Sequence, residues 1–133
     1  MVELKDNFKP DISSRADIKQ IITRFYDKLL NDEKMLPFFQ EIVQKNQLEQ
    51  HLEIITDFWN DILFDTLTYT NNVMQKHVDV NVLVSFNKAH FSIWVSYFID
   101  TINTLFYGEN SERMKSRAQS IATVMQLKMK LYQ

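Results

Sequence analysis

Residues 47–64 read QLEQHLEIITDFWNDILF. Leu48, His51, Leu52, Ile55, Phe58, Trp59 and Ile62 recur every three or four positions, which places them on one broad face of an α-helix and predicts a helix over about Gln47 to Phe64. The face is apolar except for one imidazole. His51 belongs to the buried stripe, the one histidine inside an otherwise apolar helical face.

Working outward, the N-terminal side supplies a second amphipathic helix. Ser14 precedes Arg15-Ala16-Asp17 in a near capping box, and Ile18, Ile21, Ile22, Phe25 and Leu29 follow at helical spacing to about Asn31. Tyr26 lies one position after Phe25, on the apolar side. A short connecting turn then carries Pro37, allowed near a helix start, with Phe38 and Phe39 beyond it. On the C-terminal side, Asp65 to Asn72 is polar and reads as loop, Val73 to His77 as one short helix, and Asn81 as the start of a second loop. From about Val84 to Tyr107, residues Phe86, His90, Ile93, Trp94, Tyr97, Phe98, Thr101, Ile102 and Leu105 build a long helix, with Gly108 as its expected C-cap. Ser111 is expected to cap a last helix through Met114, Ala118, Ile121, Ala122, Met125 and Met129. One glycine and two prolines leave too little turn punctuation for a sheet with tight hairpins, so the fold class is all-α.

The chain has 133 residues, enough to close one hydrophobic core, and reads as a short N-terminal extension (1–13) followed by one domain (14–133). With 45% hydrophobic and 24% charged residues it has the composition of a folded globular protein. A net charge of −2 offers no basic excess for nucleic acid or an anionic membrane surface. No apolar run approaches the roughly 20 residues of a membrane span, and MVELKDNFKP lacks the apolar core of a signal peptide, so the expected address is cytoplasmic. The absence of cysteine excludes disulfides, thiolate metal sites, iron–sulfur clusters and a cysteine nucleophile.

Three histidines remain as candidate ligands: His51, His77 and His90. His77 sits among Val73, Met74, Val78 and Val80, surroundings that favour neutral imidazole, the form that binds metal. A lone histidine in such a segment is more often a surface or capping residue. What shifts the balance is company: the Tyr26 hydroxyl, the His51 imidazole and the Trp94 indole N–H come from three helices and can converge on one small polar ligand in an apolar cavity. Taken singly, each is ordinary core packing, and a cofactor-free helical interaction module is the alternative. A di-iron or zinc centre would require Glu-x-x-His pairs on facing helices, and none of the three histidines has that spacing.

The order Phe25-Tyr26, Pro37-Phe38-Phe39, His51-x6-Phe58-Trp59, Lys76-His77-Val78, His90-Phe91-x2-Trp94 and Arg117-Ala118-x2-Ile121-Ala122 resembles that of the group III truncated haemoglobins, over about residues 14–130. The single glycine fits group III, because groups I and II carry glycine pairs at helix junctions. The resemblance implies a truncated globin fold, a two-over-two helical sandwich around haem b. It makes His77 the proximal iron ligand, Phe39 the ring on the haem face, and Tyr26, His51 and Trp94 the distal residues, with Trp94 and Ile55 also lining the cofactor. Either a gate or a sixth iron ligand is open to His51; the gate is preferred because Tyr26 and Trp94 supply donors enough. Further implications are dioxygen, nitric oxide or carbon monoxide as ligands, an unknown reductase and a monomeric state. Ligand chemistry such as nitric oxide detoxification, or peroxidase-like activity, is implied rather than transport. A haem-based sensor would need an output domain, for which 133 residues leave no room. The family pattern requires neither His90 nor the first dozen residues.

Overall fold

The computed structural model describes residues 8–66 and 86–128. Among them are five helices and no strand: α1 (Arg15–Leu30), α2 (Leu36–Gln44), α3 (Leu48–Phe64), α4 (Lys88–Leu105) and α5 (Glu109–Lys128). The expected short helix at Val73–His77, and His77 with it, lies outside the described residues. α1 packs on α3, α4 packs on α5, and the two pairs are joined through α1 against α4 and α3 against α5.

α1 starts as expected. Ser14 is its N-cap, accepting from the Asp17 backbone N–H at 3.2 Å, while the Asp17 carboxylate accepts from Ser13 N–H at 2.9 Å. Ile18, Ile21, Ile22 and Leu29 are fully buried. The segment read as a turn around Pro37 is helix α2, with proline in its first turn, where its missing N–H costs nothing. Asn46, one residue past the C-cap of α2, and Asp65, the C-cap of α3, take positive φ of 58° and 60° where glycine is the usual choice.

The buried sector of α3 differs from the expected stripe. Ile54, Thr56 and Leu63 are buried with His51, Leu52 and Trp59, whereas Leu48, Ile55, Phe58 and Ile62 are only partly buried. α3 touches α1, α2 and α5, so it is covered over more of its circumference than one stripe. Thr56 is tolerated there because its hydroxyl donates to Leu52 C=O at 2.7 Å.

Gly108 and Ser111 also depart from expectation. Phe106 ends α4 in an extended conformation, and Gly108 instead precedes α5, accepting from Glu112 N–H at 3.0 Å. Asp11 is the side chain that caps α5: its carboxylate accepts from Asn110 N–H at 2.8 Å, Ser111 N–H at 2.9 Å and the Ser111 hydroxyl at 2.8 Å. Burial alone would raise the Asp11 pKa, but hydrogen bonds from Asn110, Ser111 and Ile12 hold it below its ordinary value. Gly108 must be glycine here, at φ +148°, because a Cβ would lie 2.4–2.7 Å from Asp11 side-chain atoms. Ile12 is buried in the common core, and Tyr107 N–H donates to Pro10 C=O at 2.9 Å.

Candidate functional site

Arg15, Lys19, Ile22 and Tyr26 succeed one another every three or four residues and form one ridge of α1 directed at α3. At the C-terminal end of that ridge Tyr26 is 5% exposed and His51, in the first turn of α3, is 6% exposed. Their Oη and Nε2 atoms are 2.8 Å apart, a hydrogen bond between two buried groups. The partner that His51 needs is therefore Tyr26, a geometry neither residue reveals alone.

Which group donates depends on the imidazole tautomer. With the proton on Nδ1, the tyrosine hydroxyl donates to Nε2. With the proton on Nε2, His51 donates to the tyrosine oxygen, and the hydroxyl proton points away from His51. Burial pushes the His51 pKa down to about 4, so the ring is neutral at pH 7 and contributes a dipole rather than a charge.

The walls are aromatic. Phe39, 2% exposed, meets the Tyr26 ring edge-on at 5.3 Å between centroids. Phe25 contacts Tyr26 at 5.6 Å and Trp94 at 6.0 Å, coupling α1 to α4. Trp94, 8% exposed, stacks on Phe98 at an interplanar angle of 11°, and its indole N–H has no acceptor among the described residues. The same holds for Trp59, which is sealed between Phe58 and Phe98. Ile55 is partly buried against the core.

His90 stands apart from this group. It is the third residue of α4, where Nδ1 accepts from Asn87 N–H and its own N–H donates to Asn87 Oδ1, both at 3.0 Å. Its ring contacts Phe38 at 4.6 Å and Phe86 at 5.8 Å. Among the described residues no three His, Asp or Glu side chains are grouped to hold a metal ion, and no helix is long and apolar enough to cross a membrane. Sequence reasoning missed the ion pairs of Arg15 and Lys19 with Glu49, Glu53 and Asp57, and the link that Phe25 makes between Tyr26 and Trp94. The spacing of Arg15 and Lys19 with Tyr26 was the available signal.

No protein-family model matches the chain. The curated group 3 truncated hemoglobin ctb of Campylobacter jejuni is 27% identical over 115 residues, covering 85% of this chain and 88% of that protein. A crystal structure of a group III truncated hemoglobin from Campylobacter jejuni superposes with a TM-score of 0.77 at 23% identity, over 95% of this chain and 98% of the other. In sequence and in its all-α, two-over-two arrangement, the chain resembles the group III truncated haemoglobins and has their fold.

Proposed function

We propose that the chain is a haem-binding truncated globin that takes up dioxygen and other diatomic ligands. The observation that carries this reading is the buried Tyr26–His51 pair, two polar rings held at 2.8 Å within apolar walls. Polar groups are costly to bury, and a core that needed only packing would be served better by phenylalanine and leucine at these positions.

The described residues fit such a cofactor. Phe39 offers an apolar ring, and the Trp94 indole N–H is a nine-tenths-buried donor with no protein acceptor among the described residues. His77 would bind the iron from the proximal side, and Ile55 and Trp94 would line the haem. When bound, haem would supply an iron able to take a diatomic ligand. Tyr26 and Trp94 would be the donors to such a ligand. At about 1–3 kcal/mol for each charge-assisted bond, either donor would slow ligand escape roughly fivefold to more than a hundredfold. His51 acts as a gate, because a neutral imidazole bonded to Tyr26 can swing without leaving a buried charge behind.

Such retention favours chemistry on the bound ligand over transport. Nitric oxide dioxygenation served by a separate reductase is the specific reaction proposed, in a cytoplasmic monomer using haem b. The first test is an absorption spectrum of the purified protein in ferric, ferrous and carbonmonoxy states. A Soret band that shifts with carbon monoxide supports the reading, and protein that binds no haem in stoichiometric reconstitution refutes it.

A further inference from the structure

Two grips hold α3 on α1, and they lie on roughly opposite sides of α3. One is the Tyr26–His51 hydrogen bond. The other is ionic: Lys19 Nζ bridges Glu49 Oε1 at 2.8 Å and Glu53 Oε2, and Arg15 Nη2 bridges Glu53 Oε1 at 3.0 Å and Asp57 Oδ1 at 2.8 Å. Glu53 is the centre of this clamp, since its two carboxylate oxygens serve different cations. Hydrogen bonding from Lys19, and then from Arg15, lowers its pKa against the opposing effect of burial. Asp57 is 16% exposed and Lys19 25%, so part of the clamp is shielded from the screening that weakens surface pairs.

Helix geometry links the grips. Lys19 and Tyr26 are seven residues apart on α1, two turns, and so reach α3 from one ridge. His51 is two residues from both Glu49 and Glu53, about 200° around α3 from each. A roll of α3 about its axis therefore disturbs both grips together. A roll of about 20° carries an atom about 7 Å from the axis through about 2.4 Å, enough to break the Tyr26–His51 bond.

We propose that the Arg15–Glu53–Lys19 clamp is a positioning device that fixes the roll of α3 and so keeps His51 closed on Tyr26, making the gate sensitive to ionic strength. That consequence for ligand entry rests on the proposed haem function; the geometric coupling does not.

The test is nuclear magnetic resonance on the protein as purified, following exchange of the proton shared by Tyr26 and His51 and the imidazole nitrogen shifts of His51. Glu53→Gln and Lys19→Met should each accelerate that exchange about five- to tenfold, Lys19→Arg should restore it, and about 1 M salt should reproduce the effect in the unmodified chain. Lys45→Met, which removes the exposed Glu41–Lys45 pair on α2, should leave it unchanged. Core amides such as those of Ile21 and Phe98 should stay within about twofold, which a merely structural role would not allow. Unchanged exchange in folded Lys19→Met refutes the clamp, even if Glu53→Gln fails to fold, and so does acceleration spread evenly over the core. Ligand association should quicken in the same variants. If the shared proton exchanges faster while ligand association does not change, the clamp stands and the role of Tyr26–His51 in ligand entry falls.

Discussion

Lowering the pH should destabilise this protein well before its carboxylates titrate, and His51 should be the reason. Its folded pKa of about 4 lies below the ordinary histidine value of 6.5, so between those limits the unfolded chain binds a proton that the folded chain refuses. The sign follows: the penalty is absent above pH 6.5, grows as the pH falls, and levels off below pH 4. A difference of about 2.5 units corresponds to about 3 kcal/mol in total and about 2 kcal/mol at pH 5, a large fraction of the stability of a domain this size. The assay is urea unfolding at intervals from pH 7.5 to 4, with one ligation state held throughout, on the wild type and on His51→Leu. The variant loses the titration but leaves the Tyr26 hydroxyl without His51, an offset of about 1–3 kcal/mol independent of pH. The two stability curves should therefore converge on acidification, and Tyr26→Phe combined with His51→Leu should recover part of the offset. Parallel curves across pH 6.5 to 4 would show that His51 is not buried neutral against Tyr26, and the account of the pair would fail.

His77→Gly should abolish tight haem binding or make it depend on added imidazole; an unchanged ferrous spectrum without imidazole would transfer the axial role to another histidine. Tyr26→Phe should speed dioxygen release about tenfold or more at nearly constant volume, with a smaller effect on carbon monoxide, read by stopped-flow. Because Tyr26 and Trp94 would serve one ligand, a double-mutant cycle with Trp94→Phe should be non-additive. Gly108→Ala should cost more than about 1 kcal/mol in urea unfolding, since it meets Asp11 and strains a positive φ, whereas Asp65→Gly, at φ 60°, should be neutral or stabilising by up to about 1 kcal/mol.

Periodicity made the helices legible. The run from Ile18 to Leu29 and the capping Ser14 define α1 to within a residue, and Gln47 to Phe64 coincides with α3 apart from its first position. What periodicity could not give is how much of a helix its neighbours cover, so Ile54 and Leu63 exchange places with Ile55 and Ile62. Capping was misread where the cap comes from far away: nothing near Ser111 announces that Asp11 supplies it. Tyr26, His51, Phe39 and Trp94 could be singled out because polar or large rings on apolar faces are conspicuous. Their mutual geometry depends on how α1 crosses α3 and α4, which sequence spacing on one helix does not encode. The structural surroundings of His77 lie outside the described residues.

The Asp11 cap joins residues 100 positions apart, whereas Ser14 and Asn87 cap the starts of α1 and α4 from the adjoining turn. On a ribosome adding about 5–20 residues per second, Asp11 waits about 5–20 s before Ser111 exists. Until then the Asp11 carboxylate has no donor from α5, and Ile12 lacks the Asn110 side chain that bonds its carbonyl. The core face of α1 is thus complete long before the strap that closes its N-terminal edge. Closure of that edge should belong to the last act of folding, with unfolding beginning there, so that substitutions at Asp11 change the unfolding rate far more than the folding rate.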